Sequence, residues 1–530
     1  MQEVSQAWKD AHRKTLLNES DVEIALDMAD PDALEGVESS DNGSVYISDT
    51  PEVVSEVDTQ TKLYGTFEQN IWVLNDTRKI IPASDYKDGG YIGDVISNAE
   101  GVFDVKIPTI TLTFPEVFTR IIPGITITWG TAYGEYATHF IVTAYNGNTV
   151  VATKEIYNNA SVLTVVELDI INYNKITIQV LRWCLPNHRA RVDEIFVGWH
   201  YVYRKANLMS YSHNQTVDPI STSLPKAEIK FSIDNSDGVY NPYNLDGFSK
   251  YLMERQKVQT RYGLKQDDGI MEWIKGGTFY LSEWYAKQNG LTAEFAARDV
   301  LEFMSAHYKD TITKVTERPL VDIANAVLRS ANLPLTVDGQ DNWVVNIDSY
   351  VTTTAPMPDD TIANCLQLIA NASKCVLYVD REGKLHIEPI GETNTDYVIN
   401  TFNAYSKPEI TLSKSLKEVV VKCYTYTDGE NGIESSTRDV TVSISEAGES
   451  ITIDNPLITN EDVATAVGTW VGNYLKNRMT LSSEMRVDVR LDALDKVTNI
   501  HEYGENTVRV TDVEFTFNGA FRGKVEGKVI

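Results

Sequence analysis

The chain has 530 residues, 42% of them hydrophobic, and its 75 Asp and Glu outnumber 47 Lys and Arg to give a formal net charge of −28 at pH 7. That length exceeds what one core supports and implies three to four domains, and no apolar run is long enough to span a membrane. So acidic a chain offers no surface for gripping nucleic acid, because phosphate binding needs Lys and Arg to displace counterions. The four cysteines (Cys184, Cys365, Cys375, Cys423) are scattered without a C-x-x-C pair, so neither a disulfide framework nor a zinc site is expected. The opening MQEVSQAWKDAHRKTLL has no apolar signal region, and folding in the cytoplasm is the expectation.

Residues 1–30 read as a helix over WKDAHRKTLL and then a strand, where Val22, Ile24 and Leu26 alternate. That strand is too short to stand alone, so it is expected to pair with the domain that begins near residue 204. Residues 31–203 then form an insertion, in which a polar, turn-rich lead gives way to alternating β-branched runs: ITITWG, HFIVTAYNGNTVVATKEIY, VVELDI and KITIQVLRW. Asn146-Gly147 between two such runs signals a hairpin of type I′, which needs positive φ at both residues. Short strands with regular turns imply a β-sandwich.

Over 204–305 the apolar residues alternate in AEIKFSID, KVQTRYGL and GTFYLSEW, punctuated by Asp234-Asn235, Asn241-Pro242 and Asp246-Gly247. ARDVLEFM closes them with helical spacing, which predicts a small antiparallel barrel. In 306–400, PLVDIANAVLRSANL places Leu320, Ile323, Ala324 and Val327 on one helical face after Pro319, and DDTIANCLQLIANAS is a second helix that Asp359 or Asp360 is expected to cap. KCVLYVDREGKLHIEPI follows as two strands around Arg381-Glu382-Gly383. Residues 401–530 return to strands around one helix, NEDVATAVGTWVGNYLKNRM, acidic in its first turn and basic in its last. A second barrel with a packed helix is predicted. The fold class is thus mainly β and multidomain (α+β): two barrels, a small α/β domain and an inserted β-sandwich.

SIDNSDGVYNPYN, ERQKVQTRYGL, GGTFYLSEW and LTAEFAARDVLEF, in that order, resemble the first domain of tailed-phage tail hub proteins, the baseplate hubs also found in prophages and tailocins. The helix–strand–turn–strand unit resembles their second domain, and the close VTDVEFTFNGAFRGKVEG is similar to their last. The insertion, from LYGTFEQNIWVL through GITITWGTAYGEYATHFIVTAYNGNTVV to RARVDEIFVGW, is similar to galactose-binding-like jelly rolls found as carbohydrate-binding modules, which implies a jelly-roll sandwich. The resemblance implies a homotrimer whose two barrels per chain present six units to a sixfold tail. It implies the tail tube, the distal tail ring and tip or fibre proteins as partners, and a place in the virion tail tip after assembly in the host cytoplasm. It also implies an acidic lumen through which DNA passes unbound.

No catalytic motif stands out. The paired carboxylates Asp267/Asp268 and Asp359/Asp360 fall in turns or at helix starts, where solvated loops and caps account for them better than glycoside hydrolysis does. The eight histidines are dispersed, with no H-E-x-x-H, no G-x-S-x-G and no Walker loop. No enzyme, no cofactor and no metal are expected. Sugar contact would rest on aromatic platforms with charged side chains to hold hydroxyls, for which the candidates are Trp72, Trp129, Tyr133, Glu135, Tyr136, Trp183, Arg189 and Arg191. TAYGEY is the best of these stretches, whereas Trp129 in TITWG reads as buried. The expected function is a structural tail hub that contacts host-surface glycans through the insertion. The alternatives are a distal tail ring or receptor-binding adaptor protein and, behind them, a glycan hydrolase with a binding module.

Overall fold

The computed structural model describes residues 1–14, 18–34, 36–43, 48–54, 68, 89–287, 290–331, 333, 342–391, 394–430 and 432–530. Strands dominate, and the largest element is one sheet of thirteen. Its path runs through Trp199–Tyr203, Ser20–Met28, Lys257–Lys265, Met271–Ala286, Thr292–Arg298, Lys226–Asp234, Leu208–Thr216, Gly504–Phe517, Phe521–Val529, Met479–Met485 and Glu409–Leu412. Each strand on that path is antiparallel to the next. Lys496–His501 joins beside Gly504–Phe517, and Asn394–Ile399 lies parallel to it.

The two barrels expected at 204–305 and 401–530 are therefore not separate, and among the described residues no barrel closes. Leu208–Thr216 bonds to Lys226–Asp234 on one side and to Gly504–Phe517 on the other, with Tyr211 opposite both Phe231 and Phe517. An open strand edge leaves backbone groups unpaired, and joining the two half-sheets satisfies them. The inward side chains then share one core: Ile24, Tyr211, Ile229, Phe231, Ile233, Tyr262, Phe295, Val513 and Phe515 are all buried in it. The period-two reading of AEIKFSID holds, with Ala227, Ile229, Phe231 and Ile233 facing in. The N-terminal strand pairs with both Lys257–Lys265 and Trp199–Tyr203, so residues 199–203 belong to this sheet and not to the insertion.

The insertion is a sandwich. One sheet orders Tyr91–Ile96, Arg189–Phe196, Ile122–Trp129 and Leu163–Ile170; the other orders Glu38–Asp41, Thr109–Phe118, Tyr173–Trp183, Ala137–Asn146 and Thr149–Tyr157. Ile110, Leu112, Ile125, Ile127, Phe140, Val142, Ile176 and Ile178 fill the space between them. The hairpin forms, but Asn146 pairs with Thr149, so the two-residue loop is Gly147-Asn148 with positive φ only at Gly147 (58°). That is the type II′ pattern rather than type I′.

The α/β unit packs helices Leu320–Ser330 and Ile362–Ala372 on strands Trp343–Val345, Leu385–Glu388 and Val376–Val379. Thr361, not Asp359 or Asp360, caps the second helix, its hydroxyl accepting from the Asn364 N–H at 3.2 Å, while Asp360 accepts from the Thr361 N–H at 2.7 Å. The hairpin Leu416–Gly429/Gly432–Ser443 and helix Glu461–Lys476 join this same core through Val419, Val421, Cys423, Ala464 and Val467. The helix assigned to a second barrel thus belongs to the central unit.

Candidate functional site

Seven of the eight sugar-contact residues predicted from the sequence lie among the described residues, and four of them, Trp129, Glu135, Trp183 and Arg191, are buried in the sandwich. Trp129 and Trp183 are 0% and 1% exposed, with their rings edge to face at 6.0 Å. Trp129 donates its indole N–H to Thr164 Oγ1 at 2.9 Å, and Trp183 donates to Glu135 Oε2 at 2.6 Å. The other Glu135 oxygen lies 2.8 Å from His188 Nδ1. Buried side chains that spend their polar atoms on one another are not open platforms in this conformation. Counting in twos from Ile176, Ile178 and Val180 would point Trp183 outward. A bulge at Leu181, where His139 pairs with Arg182 but Phe140 with Val180, turns it into the core.

Arg191 is fully buried and forms a two-toothed pair with Glu68, at 2.7 and 2.9 Å, while the backbone N–H of Arg189 donates to the same carboxylate at 2.7 Å. The Tyr133 ring covers the Arg191 guanidinium at 5.0 Å. TAYGEY is a tight turn in which the Glu135 N–H reaches Gly130 O at 3.0 Å, Gly134 sits at φ +66°, and Asp193 accepts from the Thr131 N–H at 2.8 Å. Tyr133, Tyr136 and Arg189 remain half-buried, and Trp72 lies outside the described residues. Glu68 and His188 complete this cluster, and no local sequence signal links position 68 to 191.

Among the described residues, an open aromatic ring of the sandwich lies elsewhere. Tyr157 is 60% exposed and stacks on His139 at 4.5 Å between ring centres, and His139 Nε2 lies 2.7 Å from Glu155. Strand pairing sets His139 directly opposite Tyr157.

In the large sheet the chemistry centres on Arg381, at the turn of the α/β unit, whose side chain is 7% exposed. It donates to Asp492 Oδ1 at 2.6 Å, Lys275 O at 2.8 Å, Val489 O at 2.8 Å and Leu491 O at 3.0 Å. Beneath it, Tyr211 Oη and Tyr262 Oη lie 2.7 Å apart, and Tyr262 Oη is 3.0 Å from His213 Nδ1. Burial pushes His213 down to about 3 and Tyr262 up to about 12, so both stay neutral over the ordinary pH range. A cavity of about 260 Å³ borders Arg381, Asp492, Asp495 and Arg509. One guanidinium thus ties the α/β turn to both halves of the sheet, which is the work of a structural joint.

The carboxylate pairs sit in a turn and just ahead of a helix cap. Asp267 is ion-paired with Lys14, which holds it below the usual carboxylate range, and Asp360 is held low by Asn364 and the Thr361 N–H. Among the described residues no cluster of three or more His, Cys, Asp or Glu is placed to hold a metal. No described helix is long and apolar enough to cross a membrane.

No family model matches the chain, and no curated protein sequence does. Similar solved structures include the 43 kDa tail protein of prophage MuSo2 from Shewanella oneidensis, at 12% identity and a TM-score of 0.42, covering 62% of this chain and 95% of that one. The tail protein from Neisseria meningitidis MC58 is 10% identical with a TM-score of 0.42, covering 62% and 93%. Prophage tail protein gp18 from Listeria monocytogenes EGD-e is 11% identical with a TM-score of 0.39, covering 62% and 91%. These are loose likenesses.

Proposed function

We propose that this chain is a non-enzymatic structural hub of a phage-type tail, joining the tail tube to the tip. The observation that carries the reading is the thirteen-strand sheet, in which strands from residues 20–28, 199–298 and 479–529 form one continuous wall while a complete sandwich is spliced between Met28 and Trp199. Of the segments that resemble tail hubs, those matching the first and last domains build this wall, and the helix–strand–turn–strand unit has its own sheet. Homotrimers would dock on the tube and distal ring on one side and carry tip or fibre proteins on the other, in the virion. The net charge of −28 suits a passage that DNA crosses without sticking. Negative-stain averages of the purified protein test the proposal: threefold rings with three extra lobes support it, and sixfold rings favour a distal tail ring instead.

A second reading, glycan contact by the inserted sandwich, is favoured by the exposed Tyr157–His139 stack with Glu155 beside it, a ring face and a carboxylate of the kind that holds a sugar. A glycan array on the whole protein tests it. Binding that Tyr157→Ala abolishes supports the reading; no binding to any host-surface preparation defeats it.

A further inference from the structure

The sandwich and the large sheet keep separate cores, with no buried residue in common. Two neighbouring chain passages connect them. Met28 pairs with Trp199, so the tether is a two-stranded ribbon, and Gly198 beside it sits at φ +143° with Met28 O 2.5 Å from where a side chain would begin. Across the joint, among the described residues, Ile121 packs on the large core and Phe196 meets His200 edge to face at 6.4 Å, beside polar contacts. Within the insertion, close to the tether, Arg120 meets Asp30 at 2.9 Å and also pairs with Asp32. Across the joint, Asp169 in the sandwich receives Lys250 Nζ at 2.9 Å and the Tyr251 hydroxyl. Thr126 Oγ1 donates to Gly198 O at 3.1 Å at the tether itself.

We propose that this foot is a releasable latch: Asp169 with Lys250 and Tyr251 sets the orientation of the sandwich, and its loss frees the sandwich to swing about the tether without unfolding. The physical grounds are the balance of forces across the joint. The Asp169 and Lys250 side chains are 50% and 31% exposed, so their ion pair is weak and screened by salt. The Tyr251 hydroxyl on a carboxylate is the stronger tie. A foot with separate cores on either side and solvent-reachable charges resembles a transient interface more than a fused core. The inference does not depend on the hub reading, since it concerns only how two units of one chain are held.

Single-molecule energy transfer tests it, with dyes at Val105→Cys in the sandwich and Tyr350→Cys in the α/β unit, both 90% exposed, in a Cys184→Ser background. The wild type at low salt is expected to give one narrow population. Asp169→Ala is expected to raise the fraction outside that peak at least about ten-fold, with the melting of both units unchanged. Lys250→Ala, and 1 M salt on the wild type, should move it the same way by less. A single peak unmoved by Asp169→Ala, Lys250→Ala and salt overturns the latch, as does a wild type already spread at low salt.

Discussion

Replacing Arg381 by Met probes the joint that makes one body of the large sheet and the α/β unit. The substitution keeps the apolar stem and removes a guanidinium that makes four hydrogen bonds, one to Asp492 and three to the carbonyls of Lys275, Val489 and Leu491. Hydrogen bonds to charged groups contribute roughly 1.5–3 kcal/mol each, but their sum overstates the loss, because freed carbonyls regain water. Breaking a buried charge pair costs roughly 3–5 kcal/mol. Here the adjoining cavity of about 260 Å³ lets water reach Asp492, which favours the low end, about 3 kcal/mol. With a urea slope of about 1–3 kcal/mol per M, that moves the midpoint down by about 1–3 M. Hydrogen exchange in a urea series, followed peptide by peptide, assigns the effect: 271–281 and 487–495 should lose protection while the sandwich peptide 122–129 does not. Arg381→Lys should lose about half as much, since an ammonium reaches Asp492 but cannot serve three carbonyls at once. A shift below about 1 kcal/mol, or an equal one in the sandwich, would refute the reasoning.

Other substitutions separate structural from binding roles. Trp129→Ala removes a fully buried indole and should destabilise the sandwich by about 3–5 kcal/mol in calorimetry, so lost glycan binding in that variant reports on folding. Gly124 sits at φ +138°, with Val166 O 1.9 Å from where a Cβ would stand; Gly124→Ala should cost about 3 kcal/mol by thermal melting, and a change under about 0.5 kcal/mol would contradict the geometry. Asp299 is driven up to about 7 by burial, against the opposing N–H groups of Leu301 and Ala227. Its folded form therefore holds a proton that the unfolded chain releases near pH 4, so this group's favourable contribution is complete below pH 4 and fades as pH rises through 7. Denaturation midpoints from pH 4 to 8 should fall more steeply in the wild type than in Asp299→Asn; parallel curves would refute this.

What the sequence could tell follows from the range of each signal. Period-two strands, the helix at 461–476 and the turn at Arg381-Glu382-Gly383 are local patterns, readable without knowing any partner. The merger of the two expected barrels depends on Tyr211 meeting Phe517 across roughly 300 residues, and many strands with the same alternation compete for that edge. The site residues divide the same way. Trp129 in TITWG reads as core and is core. Trp183 needed knowledge of the bulge at Leu181, and the burial of Arg191 needed Glu68, a partner 123 residues away. An arginine in a strand looks like a surface residue until its carboxylate is located.

The central claim is tested most directly by solution mass, measured by light scattering across a wide concentration range. The hub account predicts three times the chain mass of 59.4 kDa. Six times that mass, or a single chain at every concentration, would contradict it.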